Sequence, residues 1–93
     1  MHSEHRARRF VVHGHVQGVF FRDGVRRQAT TVGATGWIVN RPDGAVEAHV
    51  EGSAQAVAHV AAFLHKGPRG AHVKRVQEAD APAANVAGFE IRS

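Results

Sequence analysis

Apolar residues recur along the chain first with the period of a strand and then with that of a helix. The run RRFVVHG, Arg8 to Gly14, is centred on Phe10, Val11 and Val12 and predicts a buried strand ending at the glycine. In RDGVRRQATTVG, Val25, Ala29 and Val32 form one stripe of a helix, and Gly33 stands where a left-handed terminating residue belongs. Alternation returns in TGWIVN, Thr35 to Asn40, with Trp37 and Val39 on one face and Ile38 and Asn40 on the other. RPDG, Arg41 to Gly44, carries turn chemistry, because proline fixes φ and glycine accepts a positive one. In AVEAHVE, Val46, Ala48 and Val50 point inward and Glu47, His49 and Glu51 outward, so a hairpin with one wet face is expected.

Ser53 is a suitable N-cap for a second helix, whose stripe is Val57, Val60, Ala61 and Leu64 and whose end is Gly67 and Pro68. A fourth strand, Ala71 to Ala79, has Val73 and Val76 on one face only if it carries a bulge. After the loop DAPAAN, GFEIR, Gly88 to Arg92, closes the chain with Phe89 and Ile91 aligned. Strand, helix, strand, strand, helix, strand, with a short last strand, is the ferredoxin-like split β-α-β plan of the α+β class. It implies one mainly antiparallel sheet of four to five strands, covered on one face by two helices.

A chain of 93 residues suits one domain, and it buries roughly 60 to 65% of its unfolded surface, enough for a core without staples. Residues 1–7 lack periodicity and, with His2, His5 and Arg6, read as a flexible basic arm ahead of a domain at 8–93. The absence of cysteine excludes disulfides, thiolate nucleophiles and zinc-thiolate sites. No apolar run approaches the roughly 20 residues of a membrane span, and MHSEHRARRF lacks the apolar centre of a secretory signal, so a cytoplasmic protein is expected. A monomer is the expected state. Twelve Lys and Arg against eight Asp and Glu give a net charge of +4, which favours an anionic partner.

GHVQGVFFR, Gly14 to Arg22, lies between the first strand and the first helix, where free backbone N–H groups and the helix dipole favour negative charge. Gly14 and Gly18 permit the curvature of an anion-binding nest, and Arg22 can grip a phosphate through two parallel donors. The stretch has neither GxxxxGK[ST] nor the glycine spacing of a dinucleotide fingerprint, so a cradle would fit one phosphoryl group. On spacing alone it is equally an ordinary tight turn with an exposed arginine. Asn40 ends a strand parallel to the first, which brings it to the same edge of the sheet, and locally it reads as a turn-initiating residue.

GHVQGVFFR resembles the acylphosphatase signature, and GWIVN resembles the second motif of that family; the DG turn, Glu51–Gly52, Gly67–Pro68 and the terminal FEIR also match. The resemblance covers residues 8 to 92. It implies hydrolysis of the carboxyl-phosphate anhydride of acyl phosphates to a carboxylate and inorganic phosphate. It also implies that His15, Val16, Gln17, Gly18, Val19, Phe20 and Phe21 surround the phosphate with amides, that Arg22 binds it, and that Asn40 orients the attacking water. No cofactor and no metal are implied, and the partners are a small acyl phosphate and inorganic phosphate or another anion. His15 stands where many members have Arg or Lys, and Arg41 where many have a threonine whose hydroxyl could steady Asn40. A second reading is a non-catalytic binding module for nucleic acid or another anion. With Trp37 as the one tryptophan and Glu47, His49 and Glu51 on the open face, neither nucleic acid nor a membrane is an expected partner. His13-Gly14-His15 belongs to too scattered a set of histidines to expect a metal.

Overall fold

The computed structural model describes residues 4–93. Seven elements follow in order: β1 (His5–His15), α1 (Phe21–Val32), β2 (Thr35–Asn40), β3 (Val46–Ser53), α2 (Ala54–Lys66), β4 (His72–Asp80) and β5 (Phe89–Arg92). They form one five-stranded sheet of order β4-β1-β3-β2-β5. The sheet is antiparallel except that β5 lies parallel to β2, so it is mixed, a small departure from the mainly antiparallel expectation. Because β1 and β2 both run antiparallel to the strand between them, their C-terminal ends share one edge.

The periodicities decide the packing. Phe10 and Val12 of β1, Ile38 of β2 and Val46, Ala48 and Val50 of β3 are buried beneath Val25 and Ala29 of α1 and Val57, Val60 and Leu64 of α2. Each such aliphatic or aromatic side chain contributes roughly 1.5–3 kcal/mol by leaving water. Gly33 ends α1 with φ 76°, and its N–H turns back to the carbonyl of Thr30. Ser53 caps α2, its hydroxyl accepting from the Ala56 N–H at 3.1 Å. The expected bulge is present: His13 faces Arg75 while Gly14 faces Val73, which leaves Lys74 as the extra residue. Val73 and Val76 consequently both pack against the core.

Two expectations change. β1 begins at His5, and His5, Arg6 and Ala7, expected within the arm, pair with Ser53, Gly52 and Glu51; residues 1–3 of that arm lie outside the described residues. The backbone supplies this extension, and HRARR carries no apolar alternation that would announce it. Its charges are engaged as well, with Arg8 donating to Asp80 at 2.6 Å and Arg9 to Glu47 at 2.9 Å.

The second correction concerns the open face of the sheet. Glu51, expected to be solvated, is fully buried. Residues between β4 and β5 reach it, and the N–H groups of Ala84 and Asn85 donate to its carboxylate. His49 Nε2 donates to the same carboxylate at 2.6 Å and His5 Nε2 at 3.0 Å. Trp37 is likewise occupied, stacked on His49 with centroids 4.2 Å apart and covered by the Arg92 guanidinium at 4.2 Å. An indole engaged in this way offers no free platform for a base.

Candidate active site

The loop in front of α1 is shaped by backbone conformations that few residues adopt. Gly18 has φ 75° with open space where a Cβ would stand, so backbone conformation alone selects glycine there. Gly14 differs, since a Cβ would come within 2.1 Å of the His72 carbonyl oxygen on β4. Phe20, the N-cap of α1, is left-handed at φ 59° and provides no side-chain cap. Its carbonyl accepts from the Gly24 N–H at 3.0 Å, the first bond of the helix. The N–H groups of Phe21, Arg22 and Asp23 therefore point out of an uncapped helix end. At α2, by contrast, Ser53 fills the equivalent place.

A cleft of about 250 Å³ opens at this helix end, lined by Val16, Gly18, Phe20, Phe21, Arg22, Asp23 and Ile91. Arg22 is half-buried, and among the described residues no carboxylate lies within ion-pair distance of it. The nearest in sequence, Asp23, binds Arg26 at 3.1 Å and Arg27 at 2.9 Å instead. A permanent cation thus faces the cleft with its donors uncommitted.

The remaining residues expected at the site take different places. Val16 and Phe21 are buried in the core and form the inner wall of the cleft. Val19 packs against that core. Gln17 turns its side chain away from the helix end, and Nε2 donates to the carbonyl oxygens of Arg41 at 2.8 Å and Ala45 at 2.9 Å. His15 is exposed at the end of β1, opposite His72, and does not line the cleft.

Asn40 does not line the cleft either, yet it ends β2 one residue before the carbonyl that Gln17 holds. Its Oδ1 is buried and accepts no hydrogen bond among the described residues. The Arg41 side chain belongs to the other face, where it pairs with Asp43 at 3.0 Å and Glu47 at 3.5 Å. It gives no hydrogen bond to Asn40 Oδ1.

The arrangement provides the backbone donors of an uncapped helix end, a free guanidinium and a buried acceptor on the same edge of the sheet. This combination can hold a tetrahedral oxyanion and accept a hydrogen bond from a small neutral molecule beside it. A family model described as Acylphosphatase matches residues 8–91. The chain belongs to the acylphosphatase family. It is 48% identical over 85 residues to an acylphosphatase of Rubrobacter xylanophilus, covering 90% of this chain and 77% of the relative. An acylphosphatase of Thiobacillus denitrificans is also 48% identical, over 88% of this chain and 91% of its own. In three dimensions the chain is similar to an acylphosphatase from Coxiella burnetii, with a TM-score of 0.90 and 32% identity over 95% of this chain and 93% of that one. The expected enzyme class and the ferredoxin-like fold are borne out together.

Two features escaped the sequence reading. Ile91 was visible only as the apolar end of a closing strand; its place in the cleft follows from β5 lying beside β2, where Ile91 pairs with Ile38. The Gln17 side chain carried no local signal, because its acceptors lie 24 and 28 residues away.

Proposed function

We propose that this acylphosphatase binds the phosphoryl group of an acyl phosphate at the N-terminus of α1 and attacks it with a water held by Asn40. The backbone N–H groups of the loop from His15 to Phe21 surround the phosphoryl oxygens, and Arg22 grips them through paired donors. Each charged hydrogen bond contributes about 1.5–3 kcal/mol. The water donates to Asn40 Oδ1, the one buried side-chain acceptor among the described residues without a donor. As its oxygen bonds to phosphorus, the bond from phosphorus to the acyl oxygen breaks and the electron pair leaves on the carboxylate.

A carboxylate is a good leaving group, so positioning and charge stabilisation suffice without an acid to protonate it. The water's proton passes to a phosphoryl oxygen. His15 and Asp23 are neighbours in this scheme and take no part in the reaction. The reading rests above all on one observation, the uncommitted Arg22 guanidinium at an uncapped helix end.

Among the described residues no group of three or more His, Asp or Glu is arranged to hold a metal ion, and no helix is long and apolar enough to cross a membrane. We infer action as a monomer in the cytoplasm on a small-molecule substrate. Release of inorganic phosphate from acetyl phosphate, beside 4-nitrophenyl phosphate as a phosphomonoester control, tests the reaction. Rapid cleavage of the first alone is expected, and equal cleavage of both would refute it.

A further inference from the structure

Among the described residues only two large hydrophobic side chains are exposed, Phe20 at 83% and Ile91 at 37%, and both line the cleft that holds Arg22. They come from distant parts of the chain, one from the loop before α1 and the other from β5 at the sheet's edge. Phe20 carries two costs there: an aromatic residue in the left-handed region is an outlier, and its ring gains little burial. Such a residue contributes nothing evident to the core. With Val16 and Phe21 behind them, Phe20 and Ile91 form an apolar lip around a cleft whose one cation is Arg22.

We propose that Phe20 and Ile91 bind the acyl group, and that they select substrates whose acyl part is apolar and bulky, aromatic or branched. The proposal rests on the phosphoryl group occupying the α1 N-terminus. With Arg22 committed to it, a second anionic group on the substrate would find Asp23 as the only other charged residue of the cleft. A methyl group as small as that of acetyl phosphate leaves the lip uncovered. Cavities of about 150 Å³ lined by aliphatic and aromatic groups hold benzene. The cleft, at about 250 Å³, accommodates a ring of that size beside a phosphoryl group.

The test compares kcat/KM for benzoyl phosphate and acetyl phosphate in the native enzyme, Phe20→Ala and Ile91→Ala. The two compounds differ in intrinsic reactivity, which cancels when their ratio in a variant is divided by the ratio in the native enzyme. Effects on the phosphate cradle also cancel, because both compounds share the phosphoryl group. Each substitution is expected to lower the benzoyl-to-acetyl ratio roughly tenfold. In Ile91→Ala the inhibition constant of inorganic phosphate should stay within about twofold. Phe20 is exposed enough that its truncation leaves folding intact, so the test stands even where Ile91→Ala folds poorly. A ratio unmoved by Phe20→Ala would overturn the acyl site while leaving the phosphate site standing. Hydrolysis of neither compound by the native enzyme would overturn both.

Discussion

Gln17 Nε2 donates to the carbonyl oxygen of Arg41 at 2.8 Å, fastening the loop in front of α1 to the residue that follows Asn40. A second bond, to the Ala45 carbonyl at 2.9 Å, locks the same side chain onto the far side of the hairpin turn. Gln17 and Arg41 are 24 residues apart in sequence, and this side chain ties the loop before α1 to the turn after β2.

Replacing Gln17 with Ala should therefore act more on turnover than on binding. Both carbonyls keep other donors, Gly44 N–H to Arg41 at 3.1 Å and Arg41 N–H to Ala45 at 2.8 Å, so none is orphaned. A stability loss of about 1–2 kcal/mol is expected from two partly buried bonds. A fall in kcat of about tenfold or more, with KM little changed, is expected from a loosened water site. Gln17→Glu should be worse, since a carboxylate cannot donate to carbonyls. Denaturant melts and steady-state kinetics on the two variants check this, and an unchanged kcat would remove the positioning role.

Arg22→Ala should lower kcat/KM about a thousandfold, the loss of two charged hydrogen bonds at roughly 2 kcal/mol each. Because Arg22 has no ion pair among the described residues, the thermal midpoint should hardly move. Arg22→Lys should recover only part of the activity, since an ammonium cannot grip two oxygens in one plane. Calorimetric titration with inorganic phosphate reads the same site without turnover, and normal affinity in Arg22→Ala would refute the assignment.

Asn40 offers a sharper contrast between activity and stability. Its buried Oδ1 lacks a donor among the described residues, an arrangement that costs the fold free energy. Asn40→Ala should thus leave the protein as stable as before, or slightly more so, while kcat falls about a hundredfold or more. The inhibition constant of phosphate should hold steady. Loss of stability with full activity would reverse the reading.

What the sequence made legible follows from range. Elements decided within a few residues were readable: the stripe of α1 and its end at Gly33, the Ser53 cap, and the bulge that lets Val73 and Val76 share a face. Of the candidate site, the positions of Arg22 at the helix start and of Asn40 at the end of β2 were readable too, since β1 and β2 running in the same direction decides that edge. Contacts that depend on a crossing were hidden. Nothing in AVEAHVE distinguishes Glu51 from Glu47, yet the segment after β4 crosses the sheet at Glu51 and leaves Glu47 to Arg9 and Arg41. Ile91 and the Gln17 side chain were hidden for the same reason.

Glu51 also makes stability depend on acid. Burial alone would push its carboxyl up, but donation by His49, the Ala84 N–H, His5 and the Asn85 N–H outweighs burial and brings it from 4.5 down to about 2. A carboxyl depressed on folding contributes stability that is complete above its unfolded value near 4.5 and is lost as pH falls towards about 2. The side chain is fully buried, so this contribution is on the order of 3 kcal/mol. Glu51→Gln keeps the shape but presents one acceptor oxygen to four donors. Its unfolding free energy at pH 7 should be lower by about 2 kcal/mol, and much of the native protein's loss between pH 5 and about 2 should be absent from it. Glu51 sits where β1 begins and β3 ends, whereas Arg22 and Asn40 lie at the opposite edge, so kcat/KM of the folded variant at pH 7 should match the native enzyme. Urea melts from pH 7 to pH 3 decide the matter; parallel pH curves for the two proteins would mean that the carboxylate is not the group that titrates.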